Sequence, residues 1–182
     1  NSAMQFSQKV QLDGAQQGAN SGLLMRLSND GSNGYLFAPD FGDSIMKIFK
    51  RVSGTYTQIG VDYPLGTEFA DGDVAVIKAE IEGSTLRFKA WKFLETEPTE
   101  WSGNLINTAI TTPGAVGVYQ GRNKGSEGST TSSIDDFFWG DVGSTFVLVV
   151  ELNPGNITLL SNTSDAVSLS ATDAFGGTPA YT

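Results

Sequence analysis

The stretch DGDVAVIKAEIEGSTLRFKAWKF, residues 71–93, limits the fold more than any other part of the chain. Ala75, Ile77, Ala79 and Ile81 fall on one side of a two-residue period, while Val74, Val76, Lys78 and Glu80 fall on the other. Gly83-Ser84 supplies a turn, and the return run places Leu86, Phe88 and Ala90 opposite Arg87, Lys89 and Trp91. An alternation of this kind reads as an antiparallel hairpin with one apolar face and one half-polar face. It has no helical reading.

The same pattern recurs around it. Residues 22–41 read as two short strands flanking a turn rich in Asn, Asp and Gly, and residues 44–61 as a second hairpin turning at Ser53-Gly54. PGAVGVYQG at 113–121 and SIDDFFWGD at 133–141 read as further strands, separated by a polar surface loop at 121–133. Asn104 and Asn107 are expected in a loop, and the opening NSAM reads as a tag scar or as the interior of a longer protein. With 22 glycines in 182 residues and successive hairpins at short intervals, the expected class is all-β, a sandwich or barrel. Composition shifts near Gly143, which predicts a main domain over 1–142 and a second segment over 143–182.

Charge and missing residue types remove several kinds of chemistry. A formal net charge of -9 opposes binding to nucleic-acid phosphate, so no nucleic-acid partner is expected. No apolar run approaches the roughly 20 residues of a spanning helix, so no membrane insertion is expected. The chain holds no cysteine and no histidine, which excludes disulfides, Cys/His zinc sites, thiol nucleophiles and a Ser-His-Asp triad. Carboxylate chemistry is what remains.

Three pieces, taken in order, carry a family resemblance. TLRFKAWK with EPTEW behind it, then PGAVGVY, then SIDDFFWGD resemble the C-terminal half of laminin-G-like, concanavalin A-like jelly rolls. In those, an L-x-x-K-x-W strand, an E-P-x-x-W corner, a G-x-V-G-V strand and a closing D-D/N-F strand recur. The likeness covers residues 70–142 well and the N-terminal hairpins through Gly34-Tyr35 more loosely. It implies two antiparallel sheets packed face to face, in a module of a kind that binds glycans or proteins and in some members hydrolyses glycosides. The tail, DAVSLSATDAFGGTPAYT, resembles the opening strands of a bacterial or phage immunoglobulin-like domain.

The candidate chemistry follows from these pieces. A retaining glycosidase needs two carboxylates about 5–5.5 Å apart. Glu80 and Glu82 share a strand face, but the pair ends at a turn where the hydrolase members of the family continue to a third acid. Glu95, Glu97 and Glu100 lie around Pro98, which removes a ladder donor and favours a loop. Non-catalytic is therefore the expectation. Tyr35, Trp91, Trp101 and Tyr119 are the candidate ligand-binding aromatics, with packing the competing role for each. Tyr56 and Tyr63 belong to the same set of tyrosines.

Calcium is the one cofactor in play, since laminin-G-like modules often hold an ion. Asp71, Asp73, Asp135 and Asp136 are the candidate oxygen donors. Asn29–Gly34 lacks the ligand pattern of a calcium loop and reads as a turn. The resemblance implies a non-catalytic structural or recognition module of a phage virion (capsid decoration, fibre or tail) or of a surface protein. It would be displayed on the virion or outside the cell within a larger assembly, with a surface glycan or neighbouring protein as partner. The alternative is a secreted carbohydrate-active enzyme or its accessory carbohydrate-binding domain.

Overall fold

The structure is a computed structural model that describes residues 2–10, 19–122, 134–141, 148–153 and 156–161. The chain divides into two compact units, Asn1–Val142 and Gly143–Thr182. In the first, ten strands follow one another: β1 (Ser2–Lys9), β2 (Ala19–Leu27), β3 (Gly34–Asp40), β4 (Ile45–Val52), β5 (Thr55–Pro64), β6 (Val74–Glu82), β7 (Thr85–Lys92), β8 (Gly103–Ile106), β9 (Ala115–Arg122) and β10 (Ile134–Gly140). The second unit contains a hairpin of β11 (Leu148–Asn153) and β12 (Asn156–Ser161), paired from Leu148↔Ser161 to Asn153↔Asn156. The immunoglobulin-like resemblance at 165–182 falls outside the described residues. Among those residues, no helix is long and apolar enough to cross a membrane.

Two five-stranded antiparallel sheets make up the first unit. Sheet I runs β10-β1-β6-β7-β8 and sheet II runs β5-β4-β3-β2-β9. The inner faces meet in one core, where Met4, Phe6, Ile77 and Phe88 of sheet I pack with Leu23, Met25, Phe37 and Ile48 of sheet II. Each such side chain removed from water contributes about 1.5–3 kcal/mol, so this layer holds the two sheets together. Tyr63 of β5 reaches across to Phe88 of β7 with ring centroids 5.9 Å apart. The expected two-sheet antiparallel sandwich is what the chain forms.

Local chemistry sets the turns. The β6–β7 hairpin closes through Gly83-Ser84 between Glu82 and Thr85, with Gly83 at φ 58°. The β4–β5 hairpin closes through Ser53-Gly54, at φ 49° and 82°, the pair of left-handed residues that matches the twist of two adjoining strands. In the Ser28–Gly34 turn, Asp30 accepts hydrogen bonds from the hydroxyls of Ser28 and Ser32 and from the Ser32 N–H. Those bonds hold its carboxyl down at about 2, and the loop is a self-satisfied Asx turn.

One element is new and one expectation changes. The opening residues form a central strand: β1 pairs with β6 from Ser2↔Ile81 to Lys9↔Val74 and with β10 on its other side. Met4 and Phe6 enter the core, and the buried Gln8 side chain accepts the Ser21 N–H at 3.1 Å. Asn104, expected in a loop, lies in β8, which pairs with β7 through Arg87↔Asn104.

Candidate functional site

The alternation that buries one side of each sheet exposes the other, so each outer face is a candidate surface. On sheet I it displays Lys78, Glu80, Arg87, Lys89 and Trp91, as the hairpin pattern predicts. Glu80 is 5% exposed. One of its oxygens accepts from Arg87 Nε at 3.0 Å and from Arg87 Nη2 at 2.7 Å. Glu82 stands 3.9 Å from the same guanidinium. A carboxylate pair divided by an arginine is a structural tie across β6 and β7, and it leaves no free acid beside a free nucleophile.

The corner after β7 folds over this face. Glu97 pairs with Lys78 at 3.0 Å and with Lys89 at 2.7 Å, and Lys89 donates to the Pro98 carbonyl at 2.6 Å. Partial burial of Glu97 opposes its charge. The lysine hydrogen bonds outweigh that, and the carboxyl sits below its usual range. Trp101 then lies over Arg87 and Lys89, its ring centroid 4.7 and 4.8 Å from their charges. It is a half-buried lid held by cation–π contact. Trp91 shares the face but is only 6% exposed.

Sheet II presents a different outer face. From edge to edge it carries Tyr56 and Gln58 on β5, Phe49, Arg51 and Lys47 on β4, Leu36 and Ala38 on β3, Leu24 and Gly22 on β2, and Gly117 and Tyr119 on β9. Tyr56 and Tyr119 belong to opposite edge strands, yet their ring centroids lie 6.2 Å apart. That approach requires the sheet to curl over its outer face. The two rings meet above an apolar floor, with Phe49 packed edge-on to Tyr56 at 6.4 Å.

Glycine shapes that floor. A Cβ on Gly22 would stand 2.6 Å from the Phe37 carbonyl oxygen, so only glycine fits there. A Cβ on Gly117 would meet nothing within 4 Å, so the surface beside Tyr119 is open. Polar groups surround the pair. Arg51 stacks on Tyr56 at 5.0 Å, Gln58 donates to Asp62 at 2.6 Å, and Lys47 pairs with Asp40 at 3.3 Å.

Of the four candidate aromatics, the structure removes two from any exposed platform. Tyr35 is 0% exposed, because β3 turns it into the core. Its hydroxyl donates to Asn107 Oδ1 at 2.8 Å and accepts the Ile110 N–H at 3.0 Å. Burial raises its pKa against the opposing Ile110 bond and the nearby Arg26 charge. Trp91 is covered as well, which leaves Trp101 on sheet I and Tyr119 on sheet II, on different faces. Tyr56, outside that set of four, completes the cluster with Tyr119. Its signal was present in the sequence: across the Ser53-Gly54 turn, Tyr56 is the register partner of Arg51.

Of the four calcium donors, the structure describes the side chains of Asp71 and Asp73. Asp73 accepts the Ala70 N–H and pairs with the Lys92 ammonium, both at 2.8 Å, which lowers its pKa and places a cation where a metal would sit. Asp71 is exposed in the same turn. Asp135 and Asp136 lie on β10, with side chains outside the described set. Among the described residues, no group of three or more carboxylates gathers. Asp71 and Asp73 alone do not supply the oxygen ligands that calcium needs.

One end of the sandwich is organised by Arg26, buried at a bulge in β2 with φ 51°. It donates to the Ile110 carbonyl at 2.8 Å and to the Gly83 carbonyl at 2.6 Å. Two cavities of about 440 and 480 Å³ adjoin it, sharing Thr111, Pro113 and Gly114. The guanidinium ties the β6–β7 turn to the 107–114 segment.

No protein-family model matches the sequence, and no curated protein does. Solved structures do match in fold. The carbohydrate binding module CBM66 from Bacillus subtilis aligns with a TM-score of 0.56 and 16% identity, over 76% of this chain and 75% of that one. CG-16, a homodimeric agglutinin from chicken liver, aligns with a TM-score of 0.50 and 14% identity, over 77% and 91%. The first unit therefore has the concanavalin A-like β-sandwich fold, which it shares with that agglutinin and that carbohydrate binding module.

Proposed function

We propose that the first unit is a non-catalytic recognition module that takes a glycan on the outer face of sheet II. The observation that carries this reading is the Tyr56–Tyr119 pair, drawn together from the two edges of a curled sheet at 6.2 Å. A sugar ring offers a C–H face to aromatic rings and hydroxyls to flanking polar side chains, and this surface supplies both. Tyr56 is 36% exposed, Arg51 lies over its ring, and Gln58 follows two residues further along the same face of β5. The likeness to a carbohydrate binding module and an agglutinin supports the same reading. The carboxylates support a binding role over hydrolysis, because Glu80 and Glu97 are engaged by arginine and lysine.

The proposed setting is the surface of a virion (capsid decoration, fibre or tail) or of a cell, within a larger assembly. It rests on the sequence resemblance of a jelly roll followed by an immunoglobulin-like segment. A surface glycan is the proposed partner, and a neighbouring protein subunit is the competing one.

A glycan array probed with the full chain tests the reading. Binding is expected for the wild type, with loss of about tenfold or more in affinity for Tyr56→Ala and Tyr119→Ala and none for Trp101→Ala. A blank array together with capture by a neighbouring virion or surface protein would replace it with a scaffold role. Release of reducing sugar that stops in Glu80→Gln would replace it with the enzyme.

A further inference from the structure

We infer that the saccharide taken by sheet II is anionic, and that Arg51 seats its carboxylate or sulfate; this rests on the glycan reading above. The argument begins with pairing. In a chain with 20 acidic and 11 basic residues, the other cations described on the outer faces have carboxylate partners: Lys47 with Asp40, Lys78 and Lys89 with Glu97, Arg87 with Glu80. Arg51 has none among the described residues. Its Nε donates to the Gly54 carbonyl at a long 3.3 Å, and its charge lies over the Tyr56 ring.

Its surroundings leave the remaining donors accessible. Gly31, at φ 70°, faces an Arg51 terminal nitrogen with no side chain, and even a Cβ there would stay 4.0 Å away. Gly54 has nothing within 4 Å of its own Cβ position. The stack on Tyr56 fixes the guanidinium plane beside the aromatic pair. A fixed, unpaired guanidinium presents parallel N–H groups in the geometry that receives a carboxylate or sulfate on two bonds. Against a net charge of -9, an acidic saccharide would be repelled from most of this surface. Arg51 makes the platform a local exception, so an anionic group selects this face over the others.

The experiment is calorimetric titration of the full chain with three trisaccharides of one backbone: galactose, galacturonate and sulfated galactose. The wild type is expected to bind one or both anionic forms about tenfold or more tightly than the neutral one, with the preference lost between 0.05 and 0.5 M salt. Arg51→Gln should lower affinity for the anionic forms about tenfold or more and for the neutral form by clearly less, so that the preference is lost. Arg51→Lys should retain part of it. Equal or better binding of the neutral sugar by the wild type, or an equal loss for all three in Arg51→Gln, overturns the inference and leaves the glycan reading standing. No binding of any of the three, together with a blank glycan array, overturns both.

Discussion

Tyr35 and Tyr56 show what a single residue's sequence neighbourhood can and cannot specify. Each is a tyrosine in a strand, but β3 reads GYLFAPD, apolar on both sides, so nothing in its pattern says which face turns inward. β5 reads TYTQIGVDYP, polar enough that Tyr56 is legible as surface. The structure makes Tyr35 a buried fastener between β3 and the 107–110 segment. Tyr35→Phe removes both bonds and strands the Ile110 N–H in the core, so it should cost about 1–3 kcal/mol. Urea denaturation should show a lower midpoint with an unchanged slope, and saccharide binding should stay intact. If instead binding fell with stability preserved, Tyr35 would belong to the ligand surface.

At the scale of elements, the β6–β7 hairpin was fully legible because its alternation, its turn and its opposing charges agree. β1 was not, since SAMQFSQK has only Met4 and Phe6 to mark an inner face, and its two neighbours lie some 70 and 130 residues along the chain. The Phe93–Trp101 corner was legible as a loop from Pro98 and the E-P-x-x-W motif, but the acid that fixes it was not. Glu97 holds it through Lys78 and Lys89. Because its carboxyl is depressed in the folded state, the tie is at full strength above its ordinary value of 4.5 and is lost as pH falls through the lower folded value. Trp101 fluorescence and hydrogen exchange of the corner should therefore change in acid below that point, at pH values where the sandwich stays folded. Glu97→Gln should loosen the corner at neutral pH and remove the acid step. A corner equally protected at all pH values, or unaltered by the substitution, would show that the lysines do not hold it.

Over the whole molecule, the division at Val142 gives the first unit its own core and both of its sheets. A chain ending at residue 142 is expected to melt within a few degrees of the full chain and to keep its saccharide affinity, by calorimetry in both cases. Loss of cooperative melting would mean that the second unit is needed for the first to fold. The architecture was legible from hairpin spacing and from the order of three short motifs. Both tyrosines of the proposed site were named among the candidates, but their pairing was not legible, because curvature that joins opposite sheet edges leaves no trace in local alternation.

That curvature ties recognition to assembly. Tyr56 and Tyr119 are held apart by four strand pairings, each of which must form in register before the rings can meet. A ligand that needs both rings binds the completed sheet and not a fragment of it, so occupancy feeds back on folding: at a free concentration of 100 times Kd it would add about 2.7 kcal/mol to stability. Saccharide would then slow loss of the edge strands β5 and β9 together, although the two lie at opposite ends of the sheet.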